Sequence, residues 1–227
     1  CTATDPYSQV KTYEHRMCGH VQQCVDRYLE LSGLKLSDLR PAKTSCIDDH
    51  LLPPEDFITA GHLAPVASKA VLKVLYSARI CRLDLYWQVN VLAREVTRWT
   101  VACDKRLKRL IEYMWHTKDH VLKSFVGDKP SDCKLVLFSD ASFAGDLQDS
   151  KSTSGAILCL VGPHTFAIIE WMCKKQGAVS HSSSEAEIIA LEAATRMSGC
   201  PALDLWDLLI EVLEPTYRPP VNQKLKE

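Results

Sequence analysis

The spacing of apolar side chains changes near residue 130. Before it, apolar positions recur every three or four residues, the period of an amphipathic helix. After it they alternate or run together over short stretches, the pattern of strands. Residues 1–17 show no clear period. Val21 to Leu31 predicts a short helix ending near Gly33. Residues 40–64 hold Pro41, Pro53, Pro54 and Gly61, with Pro65 next, and predict a connecting loop. Three helices are predicted at about 66–80, 84–98 and 103–118, with Asp104 as start signal of the third. That third helix has one stripe of Leu107, Leu110, Ile111 and Met114, with Lys105, Arg106, Lys108 and Arg109 around the rest. Residues 125–132 predict a linker. Strands follow at 134–142, 154–161 and 165–174, the last two joined by a tight turn at Gly162-Pro163-His164. A Ser-rich loop at 176–183 leads to a helix over 184–198, broken by Gly199 and Pro201. A second helix covers 202–213, and the tail with Pro215, Pro219 and Pro220 is expected to fray. There is no repeat and no low-complexity tract.

One polar residue sits against this pattern. At ~100° per residue, Glu187 shares a face with Ala190, Leu191, Ala194 and, at its margin, Met197, while Glu185, Glu192 and Arg196 take the opposite side. A carboxylate on a core-facing stripe is costly unless it has a partner such as a metal ion. The apolar strand over 134–142 carries Asp140 near its end, so Asp140 and Glu187 form a candidate metal-dependent pair. Two capping boxes compete at the helix start, Ser182 with Glu185 and Ser184 with Glu187. The first is preferred, because Glu185 points to solvent, and it leaves Glu187 free for chemistry.

Net charge is −1, which neither favours nor excludes a polyanion partner. The distribution says more: residues 69–129 carry 13 basic and 6 acidic side chains, and 130–227 carry 8 and 13. A basic middle beside an acidic C-terminal part suits a nucleic-acid channel next to a cation site, or simply two solvated surfaces. The ten cysteines form no Cys-x-x-Cys pair, and Cys81, Cys159 and Cys173 lie within apolar runs. Free thiols in a reducing, intracellular setting, cytoplasmic or nuclear, are expected rather than a disulfide framework. No signal peptide, lipidation signal or bilayer-length apolar run is present, so no membrane partner is expected. The first residue is Cys, not Met, as in a piece of a longer polyprotein.

Several runs then occur in order: Ser139-Asp-Ala-Ser-Phe-Ala-Gly-Asp146, Asp149-Ser-Lys-Ser-Thr-Ser-Gly155, Glu170-Trp171, Lys174-Lys-Gln176 and Ser183-Ser-Glu-Ala-Glu-Ile-Ile-Ala-Leu191. This series resembles the ribonuclease H domain of copia-class LTR-retrotransposon Pol polyproteins. Val74-Leu-Tyr-Ser-Ala-Arg79, Arg82-Leu-Asp84 and Lys108-Arg-Leu-Ile-Glu-Tyr113 resemble the helical connection segment that follows the reverse-transcriptase core in those polyproteins. The resemblance covers roughly residues 22–213. It implies an α/β fold, a ribonuclease H-like mixed sheet with packed helices after a mostly helical segment. The corresponding divisions are 1–64, an N-terminal remnant and loop; 65–128, the connection-like helices; and 132–227, the ribonuclease H-like domain.

The resemblance also implies an endonuclease that hydrolyses the RNA strand of RNA–DNA hybrids with two divalent ions, Mg2+ or Mn2+, held by hard oxygen ligands. Asp140 matches the first aspartate, on the family's central strand, and Glu187 the helix glutamate. Lys105, Arg106, Lys108, Arg109, Lys174 and Lys175 are candidate contacts to nucleic acid, and a polymerase region of the parent polyprotein is a candidate partner. The family's third acid, expected on a strand after the second helix, has no counterpart, and Ser142 stands where a further aspartate is usual. The domain is therefore expected to be incomplete at its C-terminus, its metal binding weak and its activity impaired. The alternative is a non-catalytic, nucleic-acid-binding or degenerate retroelement fragment.

Other chemistry is weaker. Asp48 and Asp49 in Cys46-Ile-Asp-Asp-His50 lack the flanking strands a polymerase site needs. His116 and His120 lack a zinc protease's glutamate, and His15, Cys18, His20 and Cys24 match no zinc-finger spacing. Ser180-His181-Ser182 suits a capping loop better than a phosphate site. Trp171 fits a core position better than a base-stacking platform.

Overall fold

The computed structural model describes residues 9–145 and 149–216. The chain divides into two compact units, Glu14–Leu122 and Lys123 onward together with the segment up to Tyr13.

The first unit is helical. Helices α1 (Cys18–Ser32), α2 (Ala67–Ile80), α3 (Tyr86–Arg94) and α4 (Val101–His116) surround one core. In α1 the buried residues Val21, Cys24, Val25 and Tyr28 follow the helical period, and the helix stops where Gly33 adopts φ 71° and donates its N–H to Leu29 O. The predicted stripe of α4 is realised: Leu107, Leu110, Ile111 and Met114 are all fully buried. The start of α4 is not built as expected. Thr100 occupies the N-cap position, and Asp104 lies in the first turn. Its carboxylate instead accepts from His62 N (2.5 Å), Leu63 N (3.2 Å) and Trp99 Nε1 (2.6 Å), holding the incoming loop. Gly61 fits beneath it because a Cβ there would lie 2.5 Å from Thr100 O and 2.8 Å from Asp104 Oδ2.

The loop between α1 and α2 contains three 3-10 turns, Leu36–Asp38, Asp49–Leu51 and Pro54–Phe57. The expected boundary at residue 64 falls inside this unit, since α1 and Leu39 belong to the same core as α2 to α4.

The second unit is a five-stranded sheet with helices. Strands β1 (Lys11–His15), β2 (Leu122–Val126), β3 (Lys134–Ser142), β4 (Thr153–Gly162) and β5 (Thr165–Lys175) lie in the order β1-β2-β5-β4-β3. The sheet is antiparallel, not mixed. β3 and β4 pair without a break from Lys134↔Val161 to Ser142↔Thr153, and β4 turns into β5 across Gly162↔Thr165. The three predicted strands are present. β1 and β2 were not foreseen; β2 takes up Phe125 and Val126 from the expected linker, with Phe125 opposite Phe166.

Helix α5 (Ser183–Ala194) packs on β3 and β4. It is not broken at Gly199 and Pro201. A π-helical turn, Thr195–Gly199, carries it into α6 (Cys200–Leu213). The wider turn absorbs a proline that an α-helical ladder rejects. The foreseen fraying and prolines beyond residue 216, and the motif residue Asp146, lie outside the described residues.

Candidate functional site

Asp140 stands in the last turn of the pleat of β3, opposite Gly155 of β4. In an antiparallel pair, residues opposite one another share a face, and successive residues alternate. Ser154, Ala156 and Leu158 are the buried set of β4, and Ser154 Oγ accepts from Gln176 Nε2, which also donates to Ala186 O of α5. That face, with Leu137, Ser139 and Ala141, is the one α5 covers. Asp140 belongs to the other set, with Phe138 and Ser142, and all three are exposed.

Helix α5 approaches the sheet through Ala186, Ala190 and Ala194, each fully buried. Three alanines four apart give a smooth ridge that lets the helix sit close to the strands. Leu191 and Met197, expected on the same face, are exposed. Glu187 is exposed as well, although it projects in nearly the same direction as Ala194. Facing water, Glu187 carries no burial cost. The helix start is capped as predicted: Ser182 Oγ accepts from Glu185 N (3.1 Å), and Glu185 Oε2 accepts from His181 N (2.7 Å). Glu187 takes no part in it. Among the described residues neither Asp140 nor Glu187 has a side-chain hydrogen bond or ion pair, and no group of three His, Cys, Asp or Glu is placed to hold a metal ion. Two exposed carboxylates have the hard oxygen donors that Mg2+ prefers, but they do not make a metal centre on their own. β3 is also an edge strand here, not the central strand that the resemblance implies for Asp140.

Gln176 ends the Lys174-Lys-Gln176 run. It is buried: its Oε1 accepts from Ser180 Oγ, and its Nε2 ties β4 to α5. A single amide thus fixes the loop before α5 and the height of the helix above the sheet. The only sequence signal was a glutamine between two lysines and a Ser-rich loop.

The candidate nucleic-acid contacts on α4 are engaged inside the helical unit. Lys105 pairs with Asp56, and Arg106 with Asp49 and the ring of Phe57. Arg109 donates to Thr44 O and Thr44 Oγ1, and Lys108 lies 3.9 Å from Glu112. Lys105, Arg106 and Arg109 fasten the Pro-rich loop to α4, while the partner of Lys108 lies on α4 itself. On β5, Lys175 pairs with Asp149 at 2.8 Å, while Lys174 is exposed.

The weaker candidates resolve into structural roles. Asp48 accepts from His50 N within a 3-10 turn. His20 bonds Lys73 O and meets the ring of Tyr76; His116 bonds Glu112 O. Among the described residues the nine cysteines form no disulfide, with Cys81 and Cys159 buried as expected and Cys173 half-buried. No helix among the described residues is long and apolar enough to cross a membrane.

The structure is a mixed α/β protein, and comparison with known proteins finds retrotransposon Pol sequences among its relatives. The retrovirus-related Pol polyprotein from transposon RE2 of Arabidopsis thaliana is 36% identical over 123 residues, 54% of this chain and 8% of that protein. The corresponding polyprotein from transposon TNT 1-94 of Nicotiana tabacum is 28% identical over 175 residues, 74% of this chain and 12% of that one. The secreted RxLR effector protein 161 of Plasmopara viticola is 34% identical over 127 residues, 56% of this chain and 84% of the effector. The chain is similar to copia-type retrotransposon Pol polyproteins, consistent with a fragment of one. It spans about a tenth of the length of the Pol polyproteins it matches. No family model and no solved structure matches it.

Proposed function

We propose that this retrotransposon-derived module is ribonuclease H-like in descent, directed at RNA–DNA hybrids, and impaired in cutting them. The observation that carries this reading is the order of parts: a strand bearing Asp140, the β4–β5 hairpin, then a capped helix with Glu187 in its second turn. Divalent ions bound by such carboxylates would supply the activated water of hydrolysis in an intact enzyme. The residues present fall short of such a centre. What this chain's residues do is hold shape. Gln176 sets α5 against β4, and the Ser182–Glu185 cap fixes the helix start. The non-catalytic alternative draws little support from α4, where Lys105, Arg106 and Arg109 are committed to the Pro-rich loop.

The deciding experiment incubates the folded chain with a labelled RNA–DNA hybrid and Mg2+ or Mn2+, beside Asp140→Asn. Hybrid binding with little cutting is the expected result. Vigorous metal-dependent cutting lost in Asp140→Asn would show that the site is complete in solution and overturn the impairment. A folded chain that neither binds nor cuts the hybrid would end the hybrid-directed reading.

A further inference from the structure

The loop between α1 and α2 is anchored at its two ends and held by charge in between. At one end Leu39 joins the helical core, Arg40 N donates to Glu112 Oε1 at 3.2 Å, and Ser45 Oγ donates to Asp84 O at 3.2 Å. At the other end Leu63 joins the same core, Gly61 N donates to Trp99 O at 3.1 Å, and Val101 N donates to Thr59 O at 2.9 Å. Residues 46–58, all of them described, add nothing to that core. Leu51 and Ile58 face water, and Leu52 is buried apart from the core.

This middle stretch carries Asp48, Asp49, Glu55 and Asp56, and no lysine or arginine. Two of the four acids reach α4. Asp49 holds Arg106, whose guanidinium also lies over the Phe57 ring at 5.3 Å, and Asp56 holds Lys105. One turn further along α4, Arg109 donates to Thr44. Carboxylates bond guanidinium and ammonium groups in the same way as phosphates do. The loop thus fills the cation sites of α4 with an anionic segment of its own chain. Arg106 is 7% exposed, and a buried guanidinium left without an anion is costly. The segment can therefore leave only in exchange for another anion.

We propose that residues 46–58 form a strap that competes with a nucleic-acid backbone for Lys105 and Arg106. Closed, the strap shields these cations; a phosphate chain displaces it and takes its place. The core keeps its shape in both states, because the anchors at Leu39, Ser45, Gly61 and Leu63 lie outside the exchanged stretch. Displacement opens a row of basic residues on one helix, with Arg109 one turn beyond Lys105. Nucleic acid as the competing polyanion rests on the hybrid-directed reading above. The strap itself rests only on charge pairing within the helical unit, independently of Asp140 and Glu187.

Hydrogen exchange of the full chain tests it, with and without an RNA–DNA hybrid, in metal-free buffer of low salt that leaves the hybrid uncut. The expected result is faster exchange across residues 46–58 on binding, with α1 to α4 unchanged. Asp49→Asn with Asp56→Asn frees both cations and tightens hybrid binding by about tenfold or more; adding Lys105→Ala and Arg109→Ala removes the gain. Asp48→Asn with Glu55→Gln takes the same charge from exposed positions of the strap and changes binding by no more than about twofold. Circular dichroism follows the fold of each variant; should the Asp49→Asn, Asp56→Asn chain unfold, exchange in the unaltered chain decides. Unchanged or slower exchange across 46–58 in the bound chain overturns the proposal. A folded Asp49→Asn, Asp56→Asn chain that binds no tighter than the control pair overturns it too. An unaltered chain that ignores the hybrid ends the hybrid-directed reading, and the strap then stands only if the Asp49→Asn, Asp56→Asn chain binds. Displacement by poly-glutamate and not by the hybrid would make the partner an acidic protein and overturn the nucleic-acid assignment.

Discussion

The helical unit and the sheet unit spend their side chains differently. In the helical unit the apolar residues are inside, and charged residues bind one another or the backbone. Arg82, 2% exposed, holds Asp84, Thr117 O and Thr117 Oγ1. Asp104, Lys105, Arg106 and Arg109 fasten the Pro-rich loop. In the sheet unit the large apolar residues of α6 and Phe138 of β3 face water, and the two family-matching carboxylates have no partner among the described residues. The first unit is finished by its own contacts. Among its described residues the second leaves a large apolar surface and two carboxylates facing water.

Perturbations of the two units should separate in size. The largest effect is expected from Leu110→Ala at the centre of the helical core, a loss of about 2–5 kcal/mol. Hydrogen exchange resolved by segment would register it across α1 to α4; unchanged exchange there would contradict the core assignment. Arg82→Met comes next. It removes the cation beside Asp84, whose side chain is one-third exposed and so partly screened by water, at a cost of about 2–3 kcal/mol by urea unfolding.

The same pair predicts a pH dependence. Burial pushes the Asp84 carboxyl up, but the Arg82 hydrogen bonds and charge, helped by Tyr113, outweigh it and hold the group below the ordinary carboxylate range. A depressed acid contributes stability that is present above its unfolded pKa and lost as pH falls through its folded value. Acid titration of the helical unit should therefore show a destabilising step below the ordinary carboxylate range, absent in Asp84→Asn.

In the sheet unit, Gln176→Ala strands Ser154, Ser180 and Ala186 O, and should cost about 1–3 kcal/mol. Faster exchange confined to the first turns of α5 is the signature, and an undisturbed α5 would remove Gln176 from its positioning role. The smallest effect is Leu208→Ser on exposed α6, within about 0.5 kcal/mol for the monomer. A large loss there would show that α6 is covered by its own chain and erase the contrast between the units.

Much of this was legible along the chain because it is periodic or local. The α4 stripe, the Ser182–Glu185 cap, the stop at Gly33 and the β4–β5 hairpin each follow from neighbours within a few residues. β1 and β2 were missed because a short strand of the type Lys11–His15 has no apolar face to alternate. The helix break at Pro201 was expected from a local rule, and a π turn answered it.

The sequence by itself determined the family, the helix and strand periods and the two carboxylates that match the family motif. Tertiary structure decided which of those residues are spent. Asp104 became a loop clasp instead of a start signal, the α4 cations became internal partners, and Gln176 became the bolt under α5. It also decided that Glu187, on an apolar-looking stripe, stands in water, while Ala186, Ala190 and Ala194 are the buried residues of that helix. The physical reason is range. Helical and strand periods are written in residues a few places apart, whereas burial and charge pairing depend on residues such as Asp49 and Arg106, 57 positions apart, that only the folded chain brings together.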